Sequence, residues 1–178
     1  LTARRILTRS TASLNTSLER LSSGLRINRA KDDAAGLAIA EGFNSVVRGA
    51  AVAQRNAQDG INIVQTAEGA LSESVSIMQR MRELAVQAAN GTNSTDNRSA
   101  LDGEVQQLLA QIDDISFDTE FNGLRVLSGS QTVTRQAGPR GGETLEVQLS
   151  GASTRDLRIS TVTLSSMAAA VSALSTID

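Results

Sequence analysis

Few residues in this 178-residue chain have the types and spacing to carry chemistry. It contains no His and no Cys, so the usual zinc and iron ligands, a thiolate nucleophile and an imidazole base are all missing. Two acid pairs, Asp32-Asp33 and Asp113-Asp114, raise the question of a cation site. Adjacent acids on a helix point to different sides, and no loop beside them supplies further oxygen ligands, so neither pair reads as a cation site. The run Gly138-Pro139-Arg140-Gly141-Gly142 is rich in glycine, but neither a helix nor a Lys follows in the phosphate-loop pattern, so it reads as a turn. Arg80, Arg82 and Glu83 make a charged cluster whose default reading is a solvated helix face. Spacing adds one point: Arg80 and Leu84 are four residues apart and share a face. No set of acids converges, which argues against an enzyme, although composition alone leaves carboxylate or Ser–Lys chemistry open.

These residues must sit on elements of an unusual kind. One proline in the whole chain permits very long helices. Hydrophobic residues make up 40% of the sequence but aromatics only 2%, so much of the apolar content is Ala and little of it is bulky. That composition suits a rod or a bundle, in which helices approach closely, better than an enzyme with a deep pocket. With no Cys, stability outside a cell must come from packing or assembly. The net charge of −2 gives no general attraction to nucleic acid, and the longest apolar runs are too short to span a bilayer.

Residues 1–23 form an amphipathic helical pattern, with Leu7, Leu14, Leu18, Leu21 and Leu25 at steps of seven, four and three. Ser22-Ser23-Gly24 is a plausible stop, and residues 24–33 are a polar connector. From about 34 to 89 the pattern is helical and very long. Phe43, Val46, Ala50, Ala53, Ala57, Ile61, Val64, Ala67, Leu71, Val75, Met78, Met81, Ala85 and Ala88 follow one another at a mean spacing near the coiled-coil repeat, and are the expected packing seam. Five glycines inside this helix (Gly36, Gly42, Gly49, Gly60 and Gly69) each cost about 1 kcal/mol against Ala, which close contact with another helix or subunit would justify. Residues 90–94 break the pattern with turn residues, and a second helix is expected over 95–116. The short link implies an antiparallel helical hairpin. Residues 132–136 and 144–149 favour two strands of a β-hairpin, and 157–164 suggest a further short extended segment. Helical spacing returns at Leu164, Met167, Val171, Leu174 and Ile177, and its abrupt end carries the expectation that the chain is a fragment cut inside a helix.

Three separated blocks then carry a resemblance. Residues 18–41 (LERLSSGLRINRAKDDAAGLAIAE), 55–70 (RNAQDGINIVQTAEGA) and 79–94 (QRMRELAVQAANGTNS) resemble the N-terminal half of bacterial flagellin, in the right order. The resemblance implies a mainly α fold: a long antiparallel helical rod or coiled-coil bundle with a small β-hairpin, the flagellin middle-domain architecture. It divides the chain into a partial inner-tube helix (1–23), a connector (24–33), a helical rod (34–164) with its hairpin at about 131–150, and the start of a C-terminal rod helix (165–178). It further implies a structural role without a cofactor. Family members pass through the flagellar export machinery, served by a chaperone and a cap, and assemble with other flagellin subunits into an extracellular tube that drives motility. Animal Toll-like receptor 5 recognises the family, and its contact residues map onto Arg80, Leu84 and Glu104, with Gln79 and Gln87 nearby. No nucleic acid and no membrane insertion are implied. Incomplete terminal helices would leave this chain unable to form filaments by itself. Two rivals are the hook–filament junction protein, which shares the helical terminal architecture, and a signalling coiled-coil rod, against which the β-hairpin stands.

Overall fold

The computed structural model describes residues 1–177. Helix α1 (Thr2–Ser23) is followed by a non-helical connector and then by α2 (Ala34–Ala88), a single helix of 55 residues and thus roughly 80 Å long. Helix α3 (Thr95–Asp118) folds back along it. Two short hairpins follow, β1 (Glu120–Phe121) with β2 (Leu124–Arg125), and β3 (Gln131–Gln136) with β4 (Thr144–Leu149). Helix α4 (Met167–Ile177) closes the described chain. The fold is the mainly α rod with a small antiparallel hairpin that the sequence implies.

The local stops and starts have identifiable causes. Gly24 ends α1 in the left-handed conformation (φ 71°), and its N–H donates to the Arg20 carbonyl at 2.9 Å. The first acid pair organises the next start. Asp32 accepts from the Asn28 and Arg29 amides, while Asp33 is the N-cap of α2, accepting from the Gly36 amide at 2.8 Å. Ser94 caps α3 in the same way through the Asn97 amide. Arg98 holds the turn between α2 and α3, donating to the carbonyls of Ala88 (3.0 Å), Asn90 (3.2 Å) and Asn93 (2.8 Å), so the unpaired end of α2 is covered by a cation.

The core lies in two clusters, both in the upper part of the rod. Ile77, Met81, Leu84 and Ala88 of α2 pack on Val105, Leu109 and Ile112 of α3 and on Ala170 and Ala173 of α4. Below them, Ile63 and Ala67 of α2 pack on Val126, Leu127, Leu149 and Ala152. The β3–β4 hairpin, in register Val133↔Val147, then lies along α2. Gly60 faces Leu145 and Val147, and Pro139 at the hairpin tip rests on Gly49. A Cβ at Gly49 would stand 2.9 Å from Pro139 Cβ, so this glycine is required by close approach.

The buried row of α2 differs from the expected seam in phase, though not in period. Ala53, Gly60, Ala67, Ser74, Met81 and Ala88 recur at seven, with Ile63, Ile77 and Leu84 three residues on from members of that row. The expected seam shares Ala53, Ala67, Met81, Ala85 and Ala88 with it. Phe43, Val46, Ala50, Ile61, Val64, Leu71 and Val75 are exposed within the single chain, and Ala57 and Met78 are half-buried. The cause is that Gly60 and Ser74 occupy row positions without being apolar, so an apolar count slides onto the neighbouring row.

Three further differences appear. The β1–β2 hairpin was not legible; Asn122 (φ 51°) and Gly123 (φ 75°) supply its two positive-φ turn positions. Residues 157–164 form turns and not a strand, because their polar backbone is taken up by α3. Asp102 accepts from the Thr163 hydroxyl (2.8 Å) and the Leu164 amide (2.5 Å), and Gln106 donates to the Val162 carbonyl (3.0 Å). Asp113, from the second acid pair, accepts from both the amide and the hydroxyl of Thr154. In α4 the inward face is Ala170 and Ala173, with Leu174 and Ile177 at its edge, whereas Met167 and Val171 stay exposed.

Candidate functional site

Two surfaces merit description. The first begins with α1, which buries no residue at all: Ile6, Leu7, Leu14, Leu18 and Leu21 are all more than half exposed. Lower α2 adds Ile39, Phe43 (67% exposed), Val46 and Val47, and Ile61, Val64, Leu71 and Val75 are exposed further up the same helix. At the level of Val64 and Leu71 it opens into a cleft of about 440 Å³ whose wall is mostly apolar, with Val126, Leu149 and Leu157 across from α2. Apolar exposure on this scale makes these helices a candidate interaction surface. The connector folds back on the end of α1: Arg29 pairs with Glu19 at 2.7 Å, and the Asn28 side-chain amide donates to the Glu19 carbonyl.

The second surface is the charged flank near the top of the rod. Arg80 on α2 reaches across to Glu104 on α3, with Nε and Nη2 on the same carboxylate oxygen at 3.1 and 2.8 Å, and its Nη1 contacts Glu83 at 3.1 Å. Hydrogen bonding to Glu104 first, then to Glu83, raises the Arg80 pKa from its ordinary value, so the guanidinium stays charged. Gln79 and Gln87 are exposed on the same helix. The antiparallel register therefore brings Arg80 and Glu104 together, as their equal distance from the turn requires. Leu84 is a correction: it is 1% exposed and packs in the upper core, because it belongs to the buried row of α2. It supports the flank from beneath. Sequence reasoning missed Asp102, Gln106 and Asp113 as the clamps for 151–164; polar residues on the side of α3 facing a long excursion were the only available signal.

Neither surface gathers a set of ligating or nucleophilic side chains. Among the described residues no group of three or more His, Cys, Asp or Glu could hold a metal ion, and no helix is long and apolar enough to cross a membrane. A bare amphipathic helix beside a packed helical bundle defines a class of protein, the elongated and mainly α-helical rod.

Comparison with known proteins narrows that class. Residues 1–132 match the bacterial flagellin N-terminal helical region. The chain is 51% identical over 151 residues to a flagellin of Salmonella muenchen, covering 85% of this chain and 30% of that protein. It is 52% identical over 143 residues to the phase 2 flagellin of Salmonella typhimurium, covering 80% of this chain and 28% of that protein. The crystal structure of Bacillus cereus flagellin aligns with a TM-score of 0.58 at 30% identity, over 70% of this chain and 73% of that one. The chain belongs to the bacterial flagellin family, a family of structural proteins, and spans about a third of the length of the curated relatives it matches.

Proposed function

We propose that this chain is part of a structural subunit of the bacterial flagellar filament, exported through the flagellar machinery with its chaperone and cap and assembled outside the cell into a helical tube for motility. The observation that carries this reading is the apolar face running from α1 through lower α2, which has no partner within the chain. Second copies of the subunit are the occupants to which the reading commits. Phe43, Val46, Ala50, Ala57, Ile61, Val64, Leu71 and Val75 then pack between subunits, while Ala53 packs within one. The test is the exchange Phe43→Asp in the subunit that carries these residues, expressed in cells lacking their own flagellin. Secreted, folded protein without filaments in negative-stain micrographs is the expected result; normal filaments would sink the assignment of this face.

The charged flank supports a second role, as a ligand of animal Toll-like receptor 5. Arg80 and Glu104 present a fixed pair of opposite charges, with Gln79 and Gln87 beside them and Leu84 supporting the helix below. Arg is a common anchor type at interfaces. Arg80→Ala is expected to weaken binding to the receptor ectodomain by about tenfold or more, with the thermal midpoint unchanged. Titration of the ectodomain against both proteins measures it, and equal affinities would remove Arg80 from the contact.

A further inference from the structure

Four dipeptides place Asp or Asn before glycine: Asp59-Gly60, Asn90-Gly91, Asp102-Gly103 and Asn122-Gly123. Glycine exposes its backbone nitrogen to the preceding side-chain carbonyl, and the fold treats the four very differently. Asp59 and Asp102 lie inside α2 and α3, where the rotation that brings nitrogen to side chain would break the helix. The Asp102 carboxylate is also engaged by Thr163 and Leu164. Asn122 is held at positive φ between two paired strands. Asn90 and Gly91 belong to neither helix nor strand and are exposed.

We propose that Asn90 is a site of spontaneous covalent modification, in which the Gly91 nitrogen closes onto the Asn90 side chain. The Gly91 nitrogen forms a bond to Asn90 Cγ, and the bond from Cγ to the side-chain nitrogen breaks. Ammonia leaves with the amide proton, and a five-membered imide remains. Water then opens the ring, at the side-chain carbonyl to give Asp or at the backbone carbonyl to give isoaspartate. No oxidant or other reactant is involved.

Two contacts favour Asn90. Its Oδ1 accepts from the Thr92 amide at 3.1 Å, which lays the side-chain carbonyl across Gly91 and places a donor on the oxygen that becomes negative as nitrogen adds. The Arg98 guanidinium, 3.2 Å from the Asn90 carbonyl oxygen, puts positive charge beside the nitrogen that must lose its proton. The products change the turn. Isoaspartate routes the backbone through an extra methylene and moves a carbonyl that Arg98 and the Asn93 amide now share. Either product adds negative charge at the C-terminal end of α2, where the helix dipole opposes it.

The experiment is to hold the purified chain at mildly alkaline pH and body temperature, then map digests by mass spectrometry and score isoaspartate with an isoaspartyl methyltransferase. Asn90 should convert first, to both products, with Asn122, Asp59 and Asp102 at least about tenfold slower. Gly91 has open space around its Cβ position and no positive φ, so Gly91→Ala should keep the thermal midpoint while slowing the reaction about tenfold. In denaturant the rates at Asn90 and Asn122 should converge. Conversion of Asn122 as fast as Asn90 in the folded chain, or a preference for Asn90 that persists in denaturant, would overturn the proposal.

Discussion

The upper and lower parts of α2 belong to one uninterrupted helix, yet they behave as different materials. From Ile63 upward its inward row meets large partners, and Ile63, Met81 and Leu84 are essentially inaccessible to solvent. Below Gly60 the helix offers Phe43, Val46, Val47 and Val52 to solvent, and only the flat hairpin covers one side of it. Burial of a large aliphatic side chain is worth about 1.5–3 kcal/mol, so the upper part draws a stability from these contacts that the exposed side chains of the lower part do not. The same amphipathic pattern is thus buried at one end and, within this chain, exposed at the other.

The sharpest way to break this comparison is to truncate one residue from each part. Leu84→Ala should cost about 2–5 kcal/mol in denaturant unfolding of the isolated chain. Phe43→Ala should change the same measurement by less than about 0.5 kcal/mol. Similar losses for both would show that lower α2 is packed within the chain after all. At the boundary, Ala53 is 3% exposed on the face beneath the hairpin. Ala53→Leu should therefore destabilise by about 1–3 kcal/mol through overpacking; an unchanged or raised thermal midpoint would place that side chain in open space.

The smallest effects sharpen the picture of the hairpin. An added Cβ at Gly60 would sit 3.5 Å from Leu145 and 3.8 Å from Val147, in ordinary contact. Gly60→Ala should therefore stabilise by about 0.5–1 kcal/mol through helix propensity. Gly49→Ala carries the same propensity gain but forces Pro139 to move, so its midpoint should stay level or fall. Equal gains at both positions in calorimetry would mean that the hairpin tip does not press on α2.

Much of this architecture was legible because its signals are local. The start and stop of α2, the turn at 90–94, the cap at Gly24 and the β3–β4 hairpin all follow from residue types at fixed offsets. The antiparallel hairpin of α2 and α3 followed from the short turn, and the Arg80–Glu104 pair is what the structure adds to it. What the sequence concealed was rotational phase. Gly60 and Ser74 lie in the buried row although neither is a hydrophobic residue, so a count of apolar positions passes them by. Leu84 is expected on the surface because the resemblance implies a receptor contact there, whereas its place in the buried row puts it in the core. The excursion over 151–164 was obscure for another reason: its shape is set by Asp102, Gln106 and Asp113, which lie some forty to sixty residues earlier in the chain.

The turn held by Arg98 also sets an order of events during folding. Arg80 and Glu104 are separated by only 24 residues, whereas Asn56 and Gln136, which join α2 to the β-hairpin, are separated by 80. Closing a loop costs more entropy the longer it is, and contacts distant in sequence form late. Folding therefore zips downward from the turn: α3 aligns on α2 first, residues 151–164 are captured next, and docking of the hairpin tip on Gly49 comes last. Residues 77–112 thus supply the first part of the upper core, which Ile159, Val162, Leu164, Ala170 and Ala173 then complete, while the lower helix is the last to gain a cover.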